Sequence, residues 1–211
     1  IRILEHPPAD PFTVESSPIA SVATSHPGRL AGRRVKVSGV VTLDLPGEGF
    51  FLEDSSGGIL VRTQQTNEFH AGDLVDALGF PAIGEFSPNL EEATVRGTGT
   101  RAMPVAKKVA AEQILLHGTN DARLVEVEAR LLQRVAQSAN PLIYLQDGPI
   151  VFTARLGTPT GSRELYELPF GSVVRLTGVC SIQRGDSHQP KAFSLLLRSP
   201  GDILLISRPP W

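Results

Sequence analysis

Arg33–Leu43 reads RRVKVSGVVTL, and Arg123–Gln133 reads RLVEVEARLLQ. Working outward from this pair, FFLEDSSGGILV (Phe50–Val61) has its counterpart in IYLQDGPIVF (Ile143–Phe152), and AGDLVDALGFPAI (Ala71–Ile83) in FGSVVRLTGVCSI (Phe170–Ile182). Three matched segments in one order, offset by about 90 to 100 residues, are spaced too widely for a solenoid repeat and mark a duplicated domain. The segments are strand-like. In the first, Val35, Val37, Gly39 and Val41 alternate with Lys36 and Ser38, the period of two that sends successive side chains to opposite faces of a sheet.

Each copy reads as a short helix followed by five strands. In copy one, Ser17 and Pro18 supply an N-cap and a first-turn proline ahead of IASVAT. Phe50–Asp54 and Ile59–Thr63 flank Ser55-Ser56-Gly57-Gly58 as a hairpin, and Asp73–Phe80 and Leu90–Gly97 supply two more strands. In copy two the helix falls at Val109–Leu116, with strands near Leu124–Arg134, Leu142–Gln146, Ile150–Leu156, Val173–Ile182 and Ala192–Arg198; Asp147-Gly148 marks the hairpin. A long first strand, a hairpin, an interruption and two further strands give the order of a five-stranded Greek-key barrel, the OB-fold. A β-sandwich would need about seven strands per unit. The predicted fold class is therefore all-β with short helices, as two tandem OB-like five-stranded barrels. The expected divisions are an extended arm over 1–16, a first barrel over 17–104, a second over 105–208 and a linker over 209–211, with Ile203–Ile206 as an added edge strand. Expected core positions include Val35, Val37, Val41, Leu52, Val61, Leu74, Val125, Val127, Leu145, Val174 and Leu176.

At 211 residues and 41% hydrophobic content, the chain is long enough for two such domains and too apolar to be disordered. It opens on Ile1 and is expected to be a piece of a longer protein. A single cysteine, Cys180, excludes an internal disulfide and a cysteine-based zinc site. His6, His26, His70, His117 and His188 show no metal-ligand spacing. No nucleophile elbow, metalloprotease motif or phosphate-binding loop is present, so no catalytic residue, metal or cofactor is expected. Asp54 and Asp147 hold the same place before the hairpin, which turn capping explains in both copies. The formal net charge of -2 speaks against a dedicated nucleic-acid binder, which carries a basic surplus. That charge is unevenly spread: residues 1–104 hold 8 Lys/Arg against 13 Asp/Glu, and residues 105–211 hold 12 against 9.

Aligning Asp54 with Asp147 sets the faces. Phe50 and Leu52 match Ile143 and Leu145 as the inward set, and Phe51 and Glu53 match Tyr144 and Gln146 on the opposite side. On the next strand Leu60 and Arg62 join Phe51, and Val151, Thr153 and Arg155 join Tyr144. Strands two and three form the usual ligand face of an OB barrel. One aromatic and one arginine per face supply stacking and anion contact, so Phe51, Arg62, Tyr144 and Arg155 are the candidate ligand-binding residues. Loops Asp44–Gly49 and Ala82–Pro88 flank the first face, and Arg134–Asn140 and Gln183–Pro190 the second. The same faces are what two linked barrels would use to pack on each other.

The strings GRRVKVSGVVT, GFFLEDSSGGILV and AGDLVDALGF, followed by LTGVC and the closing LLLRSPGDILLISRPPW, resemble the extracytoplasmic sensor region of certain bacterial sensor histidine kinases over about residues 13–211. The resemblance implies a non-catalytic periplasmic sensing domain in a membrane-anchored, homodimeric parent kinase. Its partner would be an unknown small molecule or periplasmic protein, with no nucleic acid expected. Trp211 after Pro209-Pro210 fits a membrane-proximal linker on that reading. The resemblance implies no ligand residues. The alternative is a free-standing OB-fold protein that binds single-stranded nucleic acid, and salt-dependent affinity for oligonucleotides separates the two.

Overall fold

The computed structural model describes residues 10–24, 32–66, 68–135, 142–157, 167–186 and 189–209. The first barrel consists of β1 (Val35–Leu45), β2 (Gly49–Glu53), β3 (Gly58–Val61), β4 (Asp73–Ala82) and β5 (Asn89–Thr100), closed in the order β1-β2-β3-β5-β4. The second follows a two-residue strand, β6 (Lys107–Lys108). It consists of β7 (Leu124–Val135), β8 (Leu142–Asp147), β9 (Ile150–Leu156), β10 (Val173–Arg184) and β11 (Pro190–Leu197). These run β7-β8-β9-β11-β10, and β10 pairs back onto β7 over Val173–Val179 to close the ring. In both rings the third and fifth strands are parallel and the other pairings antiparallel. This is the OB arrangement that the strand count required. The expected edge strand is present as β12 (Ile203–Ser207), which continues along β10 where β11 leaves it.

A helix precedes each ring: α1 (Ile19–Thr24) and α2 (Ala111–His117). Among the described side chains, Ile19 and Val22 of the first helix and Ala111 and Ile114 of the second lie in the core of their own barrel. The duplicated aspartates explain how the helices are held. Asp54 Oδ1 accepts from the N–H groups of Ser56 (2.7 Å) and Gly57 (2.8 Å), closing the hairpin turn, while Oδ2 accepts from Ile19 N–H at 3.0 Å. Asp147 Oδ2 accepts from Ala111 N–H at 2.8 Å. Each carboxylate therefore satisfies a free N–H at the start of its own helix, but does so from the hairpin. Alanine at either position is expected to cost about 1–2 kcal/mol in urea denaturation. Asp54→Ala should be the worse, because it also releases the hairpin turn. Neutral behaviour of both variants would mean the helices are held by packing alone.

The two cores follow the inward pattern. Val37, Val41, Phe50, Leu52 and Val61 fill the first barrel, where the rings of Phe50 and Phe69 meet at 5.2 Å. Val125, Val127, Leu145, Val174 and Leu176 fill the second, where Phe152 and Phe193 stack at 4.6 Å. Val35 and Leu74 are only partly buried. Cys180 is buried in the second core, and burial pushes its thiol well above the ordinary value, leaving it an inert packing group. β1 and β7 carry bulges at matched places, between Val41 and Leu43 and between Leu131 and Gln133. An extra residue reverses the side each later residue takes, so Leu43 and Gln133 point outward, opposite Phe51 and Tyr144.

Of the expected N-terminal arm, residues 1–9 lie outside the described residues. Pro11–Thr13 is a 3-10 turn rather than extended chain, and the Arg96 guanidinium lies 4.3 Å from the Phe12 ring. Pro210, Trp211, His6, His26, His188 and most of the loop Arg134–Asn140 also lie outside the described residues. Among the described residues, no helix is long and apolar enough to cross a membrane.

Candidate functional site

Three outward positions are equivalent in the two barrels. Cross-strand pairing makes them a row: Leu43–Phe51–Leu60 over β1, β2 and β3, and Gln133–Tyr144–Thr153 over β7, β8 and β9. Arg62 and Arg155 stand two residues beyond the third member of each row. The four candidate residues are thus two copies of one arrangement, and their surroundings now differ.

The first row is covered by the second barrel. Leu43 and Phe51 pack with Ala122, Leu124, Val179 and Leu196, and Leu45 and Leu60 lie at the margin. Phe51 retains 6% exposure. The expectation that Phe51 presents an open ligand face is corrected: an apolar row facing water carries a cost of exposure that a neighbouring apolar surface removes. Glu53, next outward on β2 and 5% exposed, is held at the seam. Its Oε2 accepts from Leu124 N–H at 2.8 Å and its Oε1 from Arg123 Nε at 3.3 Å. Burial raises its pKa, and the Leu124 N–H and the Arg123 charge pull it back down. Asp121 is a second tie, accepting from Ser87 N–H (3.0 Å) of the first barrel and Ile182 N–H (2.8 Å) of the second. Burial raises its pKa as well.

Among the described residues the second row has no such cover. Tyr144 and Thr153 are partly exposed and Arg155 is exposed. A parallel row, Arg130–Gln146–Val151, runs beside it. The face therefore presents one phenol ring, two amides, a hydroxyl and two guanidinium groups. Among the described residues, neither Arg130 nor Arg155 has an ion-pair partner, whereas Arg62 pairs with Glu91 at 3.3 Å. The carboxylates nearest in sequence are engaged elsewhere: Glu128 on Arg175 and Lys108, and Asp147 on α2. Tyr144 and Arg155 are thus brought together as expected, with Gln133 and Arg130 added. Gln133 was legible only through the bulge, which the alternation does not reveal.

A cleft of about 400 Å³ lies elsewhere, at the first barrel among Asp44, Gly49, Thr63, Gln65, Glu68 and His70. Burial raises the Asp44 pKa, and the His70 charge opposes that. Its two carboxylates make it a poor match to an anionic ligand.

No family model matches the chain, and no curated protein matches it. Solved structures with a similar fold include aspartyl-tRNA synthetase from Entamoeba histolytica (TM-score 0.38, 14% identity, 50% of this chain and 22% of that one). Asparaginyl-tRNA synthetase from Pyrococcus horikoshii, complexed with asparaginyl-adenylate, is similar at TM-score 0.37 and 14% identity, over 50% of this chain and 23% of that one. A murine DNA-binding protein bound with double-stranded DNA aligns at TM-score 0.42 and 10% identity, over 84% of this chain and 98% of that one. The chain spans about a quarter or less of the length of the synthetases. The expectation of a histidine-kinase sensing region with no nucleic-acid partner is corrected here, since these neighbours are synthetases and a DNA-binding protein. The net charge by itself does not decide the matter, for a physical reason. Net charge averages two halves of opposite sign, while a ligand meets the local face.

Proposed function

We propose that the chain is an OB-fold module that binds single-stranded nucleic acid across the outer face of its second barrel. The observation that carries this reading is the open row Gln133–Tyr144–Thr153, flanked by Arg130 and Arg155 without ion-pair partners among the described residues. A phenol ring accepts the π-face of any base, and arginines beside it meet the phosphates. Gln133, Gln146 and Thr153 both donate and accept, so they satisfy base edges without imposing one sequence.

The test is fluorescence anisotropy with a labelled single strand of about a dozen nucleotides, a length within the usual OB range. Binding is expected in the micromolar range at low salt, because two arginines release few counterions. Tyr144→Ala should weaken it about 5- to 100-fold, the worth of one stacked base. Arg155→Ala should weaken it and flatten the slope of log affinity against log salt by about 0.7. Arg96→Ala, on the first barrel and paired with Asp10 and Asp76, serves as the contrast for the phosphate contacts of this face and should leave that slope nearly unchanged. Absence of binding at low salt, or binding indifferent to Tyr144→Ala, would overturn the reading.

A further inference from the structure

The open row does not stop at β9. Thr153 pairs with Ser194 on β11, their hydroxyl oxygens 2.6 Å apart, and Ser194 pairs with Ser181 on β10. Five strands spaced by about 4.8 Å make a polar row about 19 Å long. At Ser181 the row reaches the first barrel. There a cleft of about 120 Å³ lies between the barrels, walled by Ser181 from the second and by Phe51, Arg62 and Asn89 from the first.

Resting on the reading above, we infer that this cleft receives the terminal nucleotide of a strand lying on the row, so that the protein prefers a free strand end to an internal stretch. The path requires an end. Beyond Ser181 stand Asp121, Ala122 and the segment of the first barrel that contains Ser87, which Asp121 ties in place. A strand following the row cannot continue in line. Size agrees: the cleft, at about 120 Å³, is less than a third the size of the cleft on the first barrel and suits a single small planar group. Chemistry agrees as well. Among the described residues the Asn89 amide and the Ser181 hydroxyl have no protein hydrogen-bond partner, and both groups donate and accept. The Asp121 carboxylate accepts from the Ser87 and Ile182 N–H groups, and with Glu85, the other carboxylate of the lining, it keeps a phosphate out of the cleft, which therefore suits the uncharged base alone. Arg62, with 41% of its side chain exposed, would exchange its pair with Glu91 for a phosphate outside the cleft.

The experiment is competition of two unlabelled single strands of one sequence and length, linear and covalently circular, against a labelled linear strand. The linear form is expected to bind about tenfold better, roughly one stacked base. Ser181→Leu, which fills the cleft, should bring the linear strand down to the circular value. Arg62→Gln, which preserves the fold of the cleft, should weaken the linear strand alone. Tyr144→Ala should weaken both forms. If linear and circular strands bind equally and both respond to Tyr144→Ala, the end-binding cleft is wrong and the open face stands. If Arg62→Gln affects both forms alike, the cleft is likewise wrong. If neither form binds, both readings fall.

Discussion

Replacing Gly58 with alanine is expected to force the two barrels apart and cost about 3 kcal/mol, at the upper end for overpacking. Gly58 lies on β3 under the second barrel. A Cβ placed there would stand 2.0 Å from the Ala122 carbonyl oxygen and 2.4 Å from its carbon. Both are backbone atoms, so no side chain can swing aside. Either β3 must leave its ring or the Ala122–Leu124 segment must lift, and lifting it breaks the hydrogen bonds from Leu124 and Arg123 to Glu53. Urea denaturation should show the loss, and limited proteolysis should cut faster in the connection around Met103–Ala106. Gly97→Ala is the control, since nothing lies within 4 Å of its added carbon; it should change stability by less than about 0.5 kcal/mol. A Gly58→Ala protein with wild-type stability and protease resistance would mean that the barrels are not joined at this contact.

Phe193→Ala is expected to cost about 3–5 kcal/mol. Phe193 is 2% exposed, and its ring lies 4.6 Å from that of Phe152 at an interplanar angle of 17°. The truncation removes a stacked pair from the centre of the second barrel and leaves a hole bounded by strands already fixed on both sides. β11 also carries Ser194 on the open row and Leu196 at the seam, so the disturbance should reach both. The midpoint of urea denaturation should fall, with Phe193→Leu recovering most of it. A loss below about 1 kcal/mol would mean that the barrel collapses around the gap far more readily than close-packed interiors do.

The fold was legible where local chemistry repeats. Val35 to Val41 alternate, the Asp54 and Asp147 hairpins align, and the parallel pairing of third and fifth strands follows once five strands must close a ring. The aspartates' second role on α1 and α2 was not legible, because it joins residues about 35 positions apart through the folded barrel. Nor was the fate of each candidate face. Period-two alternation says that Phe51 and Tyr144 point outward, but not what stands opposite them. A signal did exist in the aligned copies. The outward row of the first is Leu43, Phe51 and Leu60, and that of the second is Gln133, Tyr144 and Thr153. An all-apolar outward row seeks a cover, while a polar row beside two arginines does not. The bulges after Val41 and Leu131 obscured this, since each moves a residue to the other side without a mark in the alternation.

Duplicating a binding domain ordinarily raises valency. Two tethered copies that both engage one ligand gain avidity from the high effective concentration of the second. Here Ala122, Leu124 and Leu196 of the second copy sit on the row through which the first would have bound. On the proposed reading the arithmetic of tandem sites is thereby cancelled: among the described residues the two barrels leave one open row, and the linker between them contributes no effective concentration. What the duplication supplies instead is a seam, with the apolar row of one copy covered by the other. On the proposed reading such a chain would engage a strand monovalently, and any gain in avidity would have to come from whole chains gathered side by side.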